Sequence, residues 1–197
     1  MKMNDEEIKN LPFGSDFFMR GDFERSSAKR IGADEMMKVR SLIEKDRARL
    51  LSMLIRTRAF TSAEIDVAME LIDSVLKDPI QKDYQIYCLV DDRDQAVGYM
   101  CYGPTPMTEG TFDLYWIAVD PDFQEKGAGS RLLSFLEEVV KARGGRLILA
   151  DTSTVPHYEK TQRFYVKNGF KEVARVSDYY QPGNDRVTFC KKLGDKG

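Results

Sequence analysis

The residues best placed to do chemistry lie between Leu114 and Arg131, in the run LYWIAVDPDFQEKGAGSR. Its apolar stretch, Leu114 to Val119, reads as a buried strand that Asp120-Pro121 stops, and SRLLSFLEEVVKAR beyond it carries helix periodicity. Between the two, Gln124-Glu125-Lys126-Gly127-Ala128-Gly129 makes a turn with two glycines. A strand, a glycine-bearing turn and a helix start gather several free backbone N–H groups and the positive end of the helix dipole at one point. Such a point attracts phosphate. Gly127 and Gly129 let the chain take positive φ or pass close to a ligand with no Cβ in the way. Two common phosphate loops are excluded. There is no Gly-Lys-Ser/Thr, and a dinucleotide fingerprint would need its third glycine where Leu132 stands. On spacing alone, the turn also fits an ordinary helix start.

The elements that must position this turn follow from periodicity and punctuation. Met36 to Ile43 reads as a first strand, and Glu44 to Arg58 as a helix with Leu50, Leu51, Leu54 and Ile55 on one face. Thr61-Ser62-Ala63-Glu64 fits a capping box that opens a second helix, which Asp78-Pro79 ends. Tyr84 to Val90 and Ala96 to Tyr102 form a hairpin around DDRDQ, and Phe112 to Val119 is the next strand. A helix over Ala128 to Arg143, a strand over Arg146 to Ala150 and a helix over Glu159 to Lys167 follow. Phe170 to Val176 and Arg186 to Lys192 close the chain as a hairpin across Gln181-Pro182-Gly183-Asn184. This order predicts an α/β (α+β) chain built on a mixed sheet with helices on its faces. Residues 1–35, with Phe13, Phe17, Phe18 and Phe23, read as an N-terminal extension packed on the 36–197 domain or on a second subunit, which leaves a homodimer open.

Bulk properties narrow the function classes. A chain of 197 residues with 42% hydrophobic and 31% charged residues describes one ordinary globular domain. A formal charge of −2 gives no sign of nucleic acid as a partner. No apolar run approaches the ~20 residues that cross a bilayer, and MKMNDEEIKN lacks the apolar region of a secretory signal, so no membrane partner is expected. Cys88, Cys101 and Cys190 read as small apolar residues in a reducing cytoplasm. With one histidine and no ligand spacing, no metal is expected.

IAVDPDFQEKGAGSRLL closely resembles the coenzyme-A-binding motif of the GNAT superfamily of N-acetyltransferases, Q/R-x-x-G-x-G/A after a strand ending I-A-V-x-P. Downstream, Thr161-Gln162-Arg163-Phe164-Tyr165-Val166-Lys167-Asn168-Gly169-Phe170 resembles the family's A-x-x-F-Y-x-x-x-G-F helix and turn. The likeness runs from about Tyr84 to Leu193, and its motif pattern is closest to the ribosomal-protein-alanine acetyltransferase branch. It implies a mostly antiparallel sheet of about seven strands whose fourth and fifth strands splay apart, with acetyl-CoA held in the gap. It further implies that Ile117, Ala118 and Val119 offer backbone groups to the pantetheine arm and the acetyl oxygen. Gln124, Glu125, Lys126, Gly127, Ala128, Gly129 and Ser130 would then wrap the pyrophosphate.

The resemblance makes Tyr165 the general acid. A phenol near pKa ~10 can donate to a departing thiolate of pKa about 8.5 or higher, although alone this tyrosine reads as a core aromatic beside Phe164. Two carboxylates are candidates for the base. Asp113 stands five residues before Ala118, where histone-acetylating members carry a glutamate. Asp151 ends the fifth strand, where ribosomal-protein-alanine acetyltransferases carry one. Both are Asp rather than Glu, and a solvated carboxylate fits each equally well. His157 lies near the acceptor side without a motif match. Relatives acting on protein N-termini often carry Asn where this chain has Tyr158, whereas Asp178-Tyr179-Tyr180-Gln181-Pro182-Gly183-Asn184-Asp185 resembles their N-Y-Y segment. The expectation is a cytoplasmic acetyl-CoA-dependent N-acetyltransferase in which an amine attacks the thioester directly. Its acceptor would be a small-molecule amine, or alternatively a protein N-terminus or lysine. A non-catalytic acyl-CoA-binding module would keep the QEKGAG loop and need no acid.

Overall fold

The computed structural model describes residues 37–194. The expected extension over residues 1–35 lies outside them, as does Met36 at the start of the expected first strand. In chain order the elements are β1 (Lys38–Ser41), α1 (Asp46–Thr57), α2 (Ser62–Lys77), β2 (Gln85–Val90), β3 (Ala96–Pro104) and β4 (Thr111–Val119). Then come α3 (Ala128–Ala142), β5 (Leu147–Ser153), α4 (Glu159–Lys167), β6 (Lys171–Gln181) and β7 (Asn184–Lys192). Single 3-10 turns at Pro121–Phe123 and Pro156–Tyr158 lead into α3 and α4.

The strands form one seven-stranded sheet in the order β1-β2-β3-β4-β5-β7-β6. Every neighbouring pair is antiparallel except β4 and β5. This is the mixed, mostly antiparallel sheet that the element order and the family resemblance led us to expect. Side chains of the central strand β3 divide between the two faces, so each face needs its own helical cover. Ala96, Tyr99 and Cys101 pack with Leu50, Met53 and Leu54 of α1 and Ala68, Met69 and Ile72 of α2. Val97, Met100 and Tyr102 pack with Leu132, Leu133, Leu136 and Val140 of α3 and with Tyr165 of α4. Each of the four α3 side chains is fully buried, at most 1% exposed, and contributes ~1.5–3 kcal/mol.

Local signals act where they were read. Thr61 caps α2, accepting from the Glu64 N–H at 3.2 Å while the Glu64 carboxylate accepts from the Thr61 N–H at 2.7 Å. Two strands run past their apolar sequence. β5 continues through Asp151, Thr152 and Ser153 because these residues pair with Thr188, Val187 and Arg186 of β7. β6 extends to Gln181, with its register broken between Val176 and Gln181 and Asp178 at φ 54°. The Asp178 carboxylate accepts from the Gly183 N–H at 2.7 Å, which secures that irregular hairpin end.

β4 and β5 make the feature that matters for function. Their parallel pairing covers only Thr111 to Asp113 against Leu147 to Leu149. Just beyond, Tyr102 pairs with Leu114 and Cys101 with Trp116, so Tyr115 is an extra residue bulged out of the β3–β4 ladder. A bulge bends its strand. From Leu114 onward β4 stays on β3 and has no pairing with β5, while β5 stays on β7.

Candidate active site

Between the diverging strands opens a cleft of about 680 Å³. Tyr115, Trp116, Ile117, Ala118 and Val119 line it from β4, and Asp151, Thr152 and Ser153 from β5. Where two strands part inside a sheet, both lose one side of the ladder. Backbone N–H and C=O groups then face the gap and can pair with an extended ligand carrying amides.

The phosphate end is built on the loop from Asp120 to Gly127. The Asp120 carboxylate is fully buried and accepts from Arg49 Nη2 at 2.8 Å and Arg56 Nη1 at 2.9 Å, both from α1. Its other oxygen accepts from the Asp122 N–H at 3.1 Å. Arg56 also donates to Asp122 at 2.7 Å, and this guanidinium holds the Asp122 carboxyl below its ordinary pKa. Gln124 does not reach outward: its Nε2 donates to Val119 O at 3.0 Å and ties the loop to the strand end. Lys126 likewise folds back, donating to Asp122 O at 2.7 Å. Glu125 at φ 61° and Gly127 at φ 85° turn the chain through the left-handed region. Gly127 is the N-cap of α3, and with no side chain to offer it leaves the first-turn N–H groups of Ala128, Gly129 and Ser130 for an outside acceptor. A Cβ on Gly127 would meet nothing within 4 Å, whereas one on Gly129 would stand 3.0 Å from the Phe164 ring. Gly129 therefore lets α3 pass against α4. A bare strand edge leading to an uncapped helix N-terminus fits a ligand shaped like coenzyme A, an amide-bearing arm ending in a diphosphate.

Tyr165 lies on α4, 4% exposed, with Phe164, Phe170 and Phe189 rings 5.4–5.6 Å away, and it lines the cleft. Among the described residues its hydroxyl has no hydrogen-bond partner. Burial, and secondarily the Asp151 carboxylate, push its pKa above that of a free phenol. That direction favours the neutral phenol, the form that carries a proton to give. Asp151 shares the cleft: Oδ1 accepts from Thr188 Oγ1 at 2.6 Å and Oδ2 stands 3.6 Å from Arg186 Nε. Asp113 does not join them. It sits where β4 and β5 are still paired, accepts from Thr105 Oγ1 at 2.7 Å, and is not among the lining residues. His157 does line the cleft, with its ring 4.5 Å from that of Tyr158.

The acceptor end shows what the sequence did not. Thr57 and Phe60 from the end of α1, Thr61 and Glu64 from the start of α2, and Tyr158, Tyr180, Gln181 and Asn184 from the far side all face the cleft. Tyr158 Oη donates to Glu64 Oε1 at 3.1 Å, joining the two sides at the rim. The ring of Phe60 meets Trp116 edge-on at 5.3 Å. The Glu64 spacing signalled only a cap, and nothing local could announce a contact made 94 positions away. None of the three cysteines lines the cleft. Cys88 and Cys101 are buried, and burial raises both thiols, Cys101 to about 12.

Comparison with known proteins agrees with this geometry. Residues 82–172 match the model of the acetyltransferase (GNAT) domain. The chain is 29% identical over 127 residues to the S-(2-succino)cysteine N-acetyltransferase of Bacillus subtilis, covering 59% of this chain and 68% of that protein. A crystal structure from Desulfovibrio desulfuricans, assigned to the acetyltransferases of the GNAT family, superposes with a TM-score of 0.77 at 38% identity, over 80% of this chain and 99% of that one. An aminoglycoside 6'-N-acetyltransferase solved with coenzyme A shares the fold, with a TM-score of 0.63 at 17% identity over 81% and 99% of the two chains. The diverging strands, the uncapped glycine loop and the Tyr165 helix thus belong to a chain that is a member of the GNAT family of acetyltransferases.

Proposed function

We propose that this chain acetylates a small primary amine, which attacks the thioester of acetyl-CoA directly. The coenzyme, when bound, supplies an acetyl group already activated as a thioester. The β4 edge at Ile117 to Val119 orients that group, and a backbone N–H directed at its oxygen would be worth ~3 kcal/mol of transition-state stabilisation. The N–C bond forms as the C–S bond breaks, so one proton must leave nitrogen and one must reach sulfur. Asp151 takes the first, because it lies in the cleft with Tyr165 while Asp113 does not. Tyr165 gives the second. Direct attack is favoured over an acetyl-cysteine because no cysteine lines the cleft. Buried thiols also suit a reducing, cytoplasmic setting.

The observation that carries this reading is a single cleft joining the bare β4 edge, Tyr165 and Asp151 to an acceptor end bridged by the Tyr158–Glu64 hydrogen bond. That bridge supports a compact acceptor over an extended peptide. The Bacillus subtilis relative also acts on a small molecule, a modified amino acid by its name. The test is CoA release from acetyl-CoA over a panel of amino acids, polyamines, aminoglycosides and N-terminal peptides. Turnover should appear with small amines. Turnover confined to peptides would overturn the acceptor assignment, and tight coenzyme binding with no turnover at all would favour a non-catalytic module.

A further inference from the structure

The acceptor end holds two carboxylates of unequal standing. Asp151 faces the Arg186 guanidinium at 3.6 Å. Glu64 is met only by neutral donors: the Thr61 N–H and hydroxyl on Oε2 at 2.7 and 2.8 Å, and the Tyr158 hydroxyl on Oε1 at 3.1 Å. Among the described residues it has no ion pair, and no lysine or arginine lines the cleft. Aromatic rings stand around it, with Phe60, Trp116, Tyr158 and Tyr180 sharing the same walls. Tyr180 senses both acids: beyond burial, Asp151 and, more weakly, Glu64 raise its phenol while Arg186, the partner of Asp151, lowers it, so the one guanidinium in reach is already engaged by Asp151. An unanswered negative charge among aromatic faces is a place for an organic cation.

Building on the proposed reaction, we infer that the acceptor is a diamine or polyamine, whose reacting nitrogen sits by Asp151 and Tyr165 while a second, protonated nitrogen is held by Glu64. Glu64 is then a specificity-determining residue rather than a catalytic one. It would raise affinity for dications without touching the bonds that change. A monoamine of equal length would reach the same reaction point and lack the second anchor.

Glu64→Gln isolates the charge. Gln at this position keeps the capping box through its one oxygen, and its NH2 can donate to the Tyr158 hydroxyl, which turns to accept, so the melting temperature should stay near that of the parent. Calorimetry in the presence of CoA, with 1,4-diaminobutane and n-butylamine as probes, reads the inference directly. A partly solvated charge pair is worth about tenfold, so the parent should bind the diamine about tenfold tighter than the monoamine. In the variant that advantage should vanish. In turnover, the diamine KM should rise about tenfold relative to the butylamine KM, and the diamine kcat should change far less than its KM. Equal affinities in the parent, or a diamine preference that survives in the variant, overturns the inference. The two readings fail separately. A calorimetric preference lost in Glu64→Gln supports the inference even if no amine turns over, an outcome that counts against the reaction instead. Brisk butylamine turnover with no diamine preference refutes the inference and leaves the reaction standing.

Discussion

Replacing Tyr165 by Phe removes one oxygen from a side chain whose ring is fixed by Phe164, Phe170 and Phe189. The hydroxyl has no protein partner among the described residues, so no buried group is orphaned when it goes. Stability at neutral pH should therefore change by less than ~0.5 kcal/mol, against the ~1–3 kcal/mol expected when a buried hydrogen bond is broken. The pH dependence has a definite sign. Burial raises the folded-state pKa above the ordinary value near 10, so the phenol's contribution is fully present below pH ~10 and is lost above it, where only the unfolded chain ionises. Between the two pKa values the parent should lose ~1.4 kcal/mol per pH unit relative to Tyr165→Phe. Turnover should move the opposite way at pH 7–8. Loss of a general acid lowers kcat by ~10²–10⁴, while acetyl-CoA affinity stays near that of the parent. CoA release, calorimetric affinity and thermal melts at pH 8 and 11 together read all of this. Full turnover in the variant would show that the sulfur leaves without this proton. A melting temperature several degrees lower at pH 8 would show a structural hydroxyl.

The two loop glycines should part company. Gly127→Val forces a β-branched residue to φ 85° with open space around it, and should weaken acetyl-CoA binding and lower the melting temperature through backbone strain while sparing kcat, whereas Gly129→Val drives Phe164 aside and should also lower kcat. Equal effects on kcat would refute the Gly129–Phe164 coupling. Asp151→Asn should depress turnover near neutrality and recover at high pH, as the amine sheds its proton unaided, while Asp113→Asn should leave the profile unchanged. The reverse result in pH-rate profiles would restore Asp113 as base. Asp120→Ala removes a buried carboxylate whose arginines can turn to solvent, at a cost of ~1–3 kcal/mol. It should weaken acetyl-CoA binding as well, and a coenzyme affinity equal to that of the parent would show that the loop keeps its shape without this anchor.

The extent to which the sequence disclosed this molecule depended on the range of each interaction. α4 was read with both ends correct because Asn168-Gly169 ends it locally, and the Thr61 cap because its partner is three residues away. β5 and β6 were read short because Asp151-Thr152-Ser153 and the segment to Gln181 carry no apolar signal. Their backbone pairing with β7 makes them strands. Of the expected site, the cleft gathers Ile117, Ala118, Val119, Gln124, Asp151 and Tyr165, and leaves outside its walls both Glu125 to Ser130, on the loop and first turn of α3, and Asp113, on the paired part of β4. Counting back from Ala118 could not tell where β4 leaves β5. Glu64 escaped notice since its cap already accounted for it. The irregular β6 end that turns Tyr180 toward the cleft depends on Asp178 at positive φ, a conformation that the letters D-Y-Y do not announce.

Helix α1 has a consequence that reaches both ends of the cleft. Through Arg49 and Arg56 it grips Asp120 and Asp122 at the root of the coenzyme loop, and just past Arg56 the same segment supplies Thr57 and Phe60 to the acceptor wall. The coenzyme loop and the acceptor wall thus share one support, so a ligand that displaced its C-terminal turn would be felt at both ends. Thermodynamic reciprocity then binds the two ligands to a common factor: however much the acceptor tightens or loosens the coenzyme, the coenzyme must do the same to the acceptor. Any such coupling would be lost on cutting the Arg49 and Arg56 ties to Asp120, a change that leaves both pockets otherwise intact.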